Sequence, residues 1–97
     1  MKREYYLSLN FKTPKSIEIY GRYDLGADRD FAEAIFDQLK GNEQISEKLI
    51  LHIDLTELQD GVPFVLNIKH CTLDELAENT KFITLQLFKH RGLEAPI

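Results

Sequence analysis

Apolar and polar residues alternate from Tyr5 to Phe11: Tyr5, Leu7, Leu9 and Phe11 share one side, Tyr6, Ser8 and Asn10 the other. A period of two marks a half-buried strand. Thr13-Pro14-Lys15 turns the chain, since proline fixes φ and lacks an N–H. A second strand follows, with Ile17, Ile19 and Tyr23 expected on one face and Glu18, Tyr20 and Arg22 on the other. The loop from Asp24 to Asp30 then opens a helix. It carries Phe31, Ala34, Ile35, Gln38 and Leu39 along one stripe, widened by Ala32 and Phe36, and Gly41-Asn42 ends it.

The same order recurs. Lys48 to Thr56 reads as a strand, with Leu49, Leu51, Ile53 and Leu55 on one face and Ile50, His52 and Asp54 on the other. Gln59-Asp60-Gly61 forms a turn, as Asp-Gly readily supplies positive φ. The fourth strand is expected to point Phe64, Leu66 and Ile68 inward, and Val65, Asn67 and Lys69 outward. Thr72-Leu73-Asp74-Glu75 is a capping box, and Cys71 and Leu76 stand at the positions of a hydrophobic staple. The helix it opens should run to about His90 or Arg91, on a stripe of Leu73, Leu76, Ala77, Thr80, Ile83, Thr84, Leu87 and Phe88. Gly92 ends it, and residues 93–97 form a frayed tail.

Each half, about residues 5–40 and 48–89, therefore reads strand, strand, helix. So short a half cannot bury its apolar face alone, so the two share one sheet and one core. Pro63 suggests an edge for the fourth strand, and Glu18 and Arg22 suggest one for the second. The expected fold is α+β: a pseudo-duplicated β-β-α-β-β-α chain, its antiparallel sheet in the order 2-1-3-4, with both helices on one face.

Length and composition narrow the function. The 97 residues make one domain, large enough for a core without metal or disulfide support. A net charge of −4 argues against a nucleic-acid partner, which needs a basic surface. The lone Cys71 points to a reducing compartment. No apolar segment follows Lys2 and Arg3, and no run approaches a membrane span, so the expectation is a cytoplasmic protein without membrane contact.

No catalytic motif, metal-ligand spacing or cofactor loop is present, so no cofactor or metal is expected. Asp24, Asp28 and Asp30 read as helix capping rather than a calcium loop. His52 and Asp54 share a strand face, the raw material of acid–base chemistry, and also of a plain solvated surface. With them, Tyr20, Asn67 and Lys69 are the ligand-binding candidates on the sheet face away from the helices. On that face Tyr6, Tyr20, Ile50 and Val65 are the interface candidates, an interface-like mixture. Phe82 and Leu85 fall off the main stripe of the last helix and mark a second possible contact. The primary expectation is a non-enzymatic interaction or structural domain working as a homodimer, another protein partner being a further option. The alternative is a small-molecule-binding protein or small enzyme with His52 as acid–base group and Asp54 orienting it.

Overall fold

The computed structural model describes residues 1–44 and 50–92. The elements run β1 (Arg3–Lys12), β2 (Ile17–Gly26), α1 (Arg29–Asp37), β3 (Leu51–Gln59), β4 (Val62–Cys71) and α2 (Leu73–His90). The four strands form one antiparallel sheet in the order β2-β1-β3-β4. The order strand, strand, helix thus occurs twice, with helices of 9 and 18 residues. Lys48 and Leu49, expected to start the third strand, and the tail 93–97 lie outside the described residues.

The core forms where the central strands meet. Leu7 pairs with Leu55 and Leu9 with Ile53, and all four are buried. Ala32, Ile35 and Phe36 of α1 and Leu76 and Ile83 of α2 join the same cluster, so both helices cover this one face. The helices also meet each other. Asn79 donates to the Lys40 carbonyl and accepts from the Lys40 N–H, both at 2.8 Å, and Phe31 stacks on His90 at 3.8 Å.

The local signals at chain reversals are realised. Asp60 and Gly61 take φ of 50° and 85°, a two-residue hairpin turn between β3 and β4. Thr72 accepts from the Glu75 N–H at 3.2 Å, while Glu75 accepts from the Thr72 N–H at 2.9 Å. Cys71 and Leu76, either side of this box, are both buried. Asp28 caps α1 by accepting from the Phe31 N–H at 3.2 Å, and Asp24 pairs with Arg22 at 2.9 Å.

Three expectations change. First, the outer strands do not keep one phase. In β2 an extra residue at Tyr20 shifts the register, so Leu9 pairs with Gly21 but Asn10 with Ile19. Ile17 and Ile19 consequently stand on the open face, whereas Tyr20 turns to the helix side, 5.7 Å from the Phe11 ring. In β4 an extra residue at Leu66 does the same: Thr56 pairs with Val65, but Leu55 with Asn67 and Ile53 with Lys69. Asn67 and Lys69 therefore lie on the helix side and Ile68 on the open side. One inserted residue reverses the alternation beyond it.

Second, α2 is rotated about its axis. Its buried residues are Leu76, Asn79 and Ile83, with Phe82 and Leu87 packed beside them. Leu73, placed in the core stripe by periodicity, is 71% exposed, and Ala77 is exposed too. The two bonds from Asn79 to Lys40 draw a polar residue inward and turn the helix with it. Third, α1 ends at Asp37, ahead of Gly41. Gly41, at φ 148°, serves a close approach instead: a Cβ there would come within 2.8 Å of the His70 carbonyl oxygen. This brings Asn42 alongside β4, where it exchanges two 2.8 Å main-chain hydrogen bonds with His70.

Candidate functional site

The sheet face away from the helices has an unusual layout. Its central strands are polar: Ser8 and Asn10 on β1, His52, Asp54 and Thr56 on β3. Its outer strands are aliphatic. Across the ladder Asn10 faces Ile19, Lys12 faces Ile17, Asp54 faces Ile68 and Thr56 faces Val65. Ser8, Asn10, His52 and Thr56 are buried, although neither α1 nor α2 lies on this face. Directly paired side chains on neighbouring strands stand close enough to shield one another, and here the aliphatic flanks shield the polar floor.

His52 and Asp54 meet. His52 Nδ1 lies 2.5 Å from Asp54 Oδ1, with both side chains largely shielded. In the neutral ring this bond places the proton on Nδ1 and leaves Nε2 as the free acceptor. His70, directly opposite His52 on β4, is the third member; the two ring centres are 5.6 Å apart. Its Nδ1 is buried and has no hydrogen-bond partner among the described residues. The Asn10 amide donates to the Ser8 hydroxyl at 3.1 Å and to the Ser8 carbonyl at 3.3 Å.

The other candidates disperse. Lys69 is buried beneath α1, where Nζ donates to the carbonyls of Phe36 at 2.7 Å and Leu39 at 3.0 Å. It caps the end of α1 rather than meeting a ligand. Asn67, also on the helix side, accepts from the Ile68 N–H at 2.9 Å. Tyr20 stands on the far side from His52, its phenol pushed up by burial. Tyr6 remains on the open face with the Arg22 guanidinium 3.9 Å above its ring. Ile50 and Val65 are more than half exposed. Phe82 packs against the core of its own chain, and Leu85 is half-buried.

These positions set what the face can do. A charge-oriented imidazole is in place, but the Ser8 hydroxyl is engaged with Asn10 rather than His52. The Cys71 thiol lies on the helix face, pushed up by burial to about 11, which keeps it un-ionised and unreactive. Three shallow clefts, of about 310, 250 and 320 Å³, lie against Tyr5 and Arg22, against Arg29 and Phe36, and against Pro14 and Ile50. His52 and Asp54 line none of the three.

Away from this face a second polar cluster is buried. Tyr5 donates to Glu57 Oε2 at 2.6 Å, Gln59 donates to Oε1, and Arg29 Nη1 lies 3.5 Å from Oε2. The Tyr5 bond, then the Gln59 bond, hold the Glu57 carboxyl below its ordinary range, against the opposing effect of burial. The same bond raises the Tyr5 phenol. Every oxygen is satisfied, so the cluster ties α1 to the central strands and presents no open chemistry.

His70 is the site residue that sequence reasoning missed, while Ser8 and Asn10 stand on this face as the alternation predicts. The missing signal is register: the Asp60-Gly61 turn alone would set His52 opposite Lys69, and the extra residue in β4 moves His70 there instead. Among the described residues no helix is long and apolar enough to cross a membrane. No family model, no curated protein and no solved structure matches this chain.

Proposed function

We propose that this chain is a non-enzymatic interaction or structural domain that works as a homodimer through its open sheet face. The observation that carries the reading is the aliphatic border of that face. Ile17, Ile19, Ile50 and Val65 are each between 55% and 66% exposed, with Ile68 beside them. Burying such side chains contributes roughly 25 cal/mol per Å² of apolar surface, and a two-fold axis repeats the gain on each copy. Phe82, the rival contact, is engaged with its own core, which favours the sheet face. A cytoplasmic location belongs to the same reading, supported by a lone, buried, un-ionised thiol at Cys71. Nucleic acid is disfavoured by the net charge of −4.

Sedimentation equilibrium at micromolar concentration is the test. The wild-type chain sediments as a dimer, and Ile50→Lys and Val65→Lys sediment as folded monomers. A strictly monomeric wild type ends the proposal.

One observation favours a second reading, a small-molecule-binding protein or small enzyme on the same face: the 2.5 Å contact between His52 and Asp54. In that reading His52 Nε2 is the acid–base atom and Asp54 holds the ring. A ligand that perturbs the His52 ring resonances in the monomeric Ile50→Lys variant would move the balance toward it.

A further inference from the structure

We infer that His52 and His70 together bind a divalent transition-metal cation of the zinc or copper class on the open sheet face. The inference rests on the fold of the single chain, with the His52–His70 end of the face open to solvent.

Three observations converge. The two imidazoles are directly opposed on β3 and β4, with ring centres 5.6 Å apart and planes inclined by 44°. With metal–nitrogen bonds of about 2.0–2.1 Å, two imidazoles on one tetrahedral cation hold their centres roughly 5–6 Å apart. His52 is also prepared as a ligand. Asp54 accepts from Nδ1, which leaves the Nε2 lone pair for a metal; a carboxylate behind a metal-binding imidazole fixes its tautomer and raises its basicity. Finally, His70 brings a buried ring nitrogen without a hydrogen-bond partner among the described residues. An unpaired buried polar atom is unfavourable, and a metal–nitrogen bond removes the penalty.

The ligand chemistry selects the cation. Neutral imidazole suits zinc, copper and nickel, whereas calcium and magnesium require oxygen donors. Among the described residues no three His, Cys, Asp or Glu side chains converge on one point. The chain therefore supplies two ligands and solvent the remainder, an open and exchangeable site rather than a structural one. Sequence spacing could not reveal it, because the ligands sit 18 positions apart and meet only through the β4 register shift.

Zinc titration of the metal-free chain, followed by calorimetry and by imidazole NMR, tests the inference. The expected result is saturable binding of one Zn²⁺ per chain, with shifts of the His52 and His70 ring signals. His90, stacked on Phe31 across the molecule, is the internal control and should not move. His70→Ala abolishes binding, His90→Ala leaves it intact, and Asp54→Ala weakens it by about 10–100-fold. Magnesium produces no shift. Absence of saturable zinc binding to the wild type overturns the inference, as does binding that survives His70→Ala. The wild-type ring shifts decide the matter even if a variant fails to fold.

Discussion

Tyr5 and Glu57, 52 residues apart in the chain, share a buried 2.6 Å hydrogen bond that donates a phenol proton to a carboxylate. The bond holds Glu57 below its ordinary value of 4.5 and Tyr5 above its ordinary value of 10.0. A lowered carboxyl contributes stability that is full above its unfolded value and lost as pH falls through its folded one. A raised phenol contributes stability that is full below its unfolded value and lost as pH rises through its folded one. Tyr5→Phe removes the largest cause of both shifts. Urea unfolding across pH should show a flatter acid limb and a flatter alkaline limb in the variant than in the wild type. Curves that run parallel into the carboxylate range would separate Tyr5 from the acid response.

Lys69 is buried, and its Nζ donates to the Phe36 carbonyl in the last turn of α1 and to the Leu39 carbonyl just beyond it. Its stem also passes the Phe36 ring, with Nζ 4.7 Å from the centroid. Lys69→Met keeps the stem and deletes the donor, so the Leu39 carbonyl loses its side-chain partner and the Phe36 carbonyl keeps only its main-chain bond from the Leu39 N–H. The expected cost is about 1–3 kcal/mol in chemical unfolding. Amide exchange should accelerate first around Phe36 to Leu39; unchanged exchange there would mean the ammonium does not hold this helix end.

The reciprocal bonds between Thr72 and Glu75 predict a smaller effect at the other helix. Thr72→Ala should lower stability by about 0.5–2 kcal/mol, since the Glu75 amide loses its side-chain acceptor. A urea midpoint equal to the wild type would show that the box contributes nothing.

Asp54 sets the proton position on His52. In the neutral wild-type ring the proton belongs on Nδ1, and nitrogen NMR shifts distinguish that form. Asp54→Ala should return the ring to a mixture dominated by Nε2–H, as in an unconstrained histidine side chain. If both proteins show the same tautomer, the carboxylate does not orient His52.

Much of the architecture was legible from local pattern. The alternation through Tyr5, Leu7 and Leu9, the Asp60-Gly61 turn and the Thr72-Glu75 box each depend on residues close in sequence, and each forms. The site was less legible because it depends on counting residues between strands. The insertions at Tyr20 and Leu66 carry no compositional mark, yet they decide that Ile19 and His70 face the site while Tyr20 and Lys69 do not. Asn79 illustrates a second obstacle. A helical-periodicity argument treats asparagine as solvent-facing, whereas its two bonds to Lys40 select the buried side of α2. Glu57 illustrates a third, since an acid in an alternating strand gives no hint of partners at Tyr5 and Arg29.

The Gly41-Asn42 segment has a consequence for how this protein fares in a crowded solution. β4 is a long outer strand rich in exposed aliphatic and aromatic groups, the kind of rim on which fibrils can nucleate. Several of its main-chain donors are nevertheless spent or missing. Asn42 occupies both main-chain groups of His70, the Asn67 amide oxygen occupies the Ile68 N–H, and Pro63 has no N–H to give. An incoming strand would find fewer free amides to template on. The chain can thus carry a sticky surface for a chosen neighbour and still resist open-ended growth from that rim.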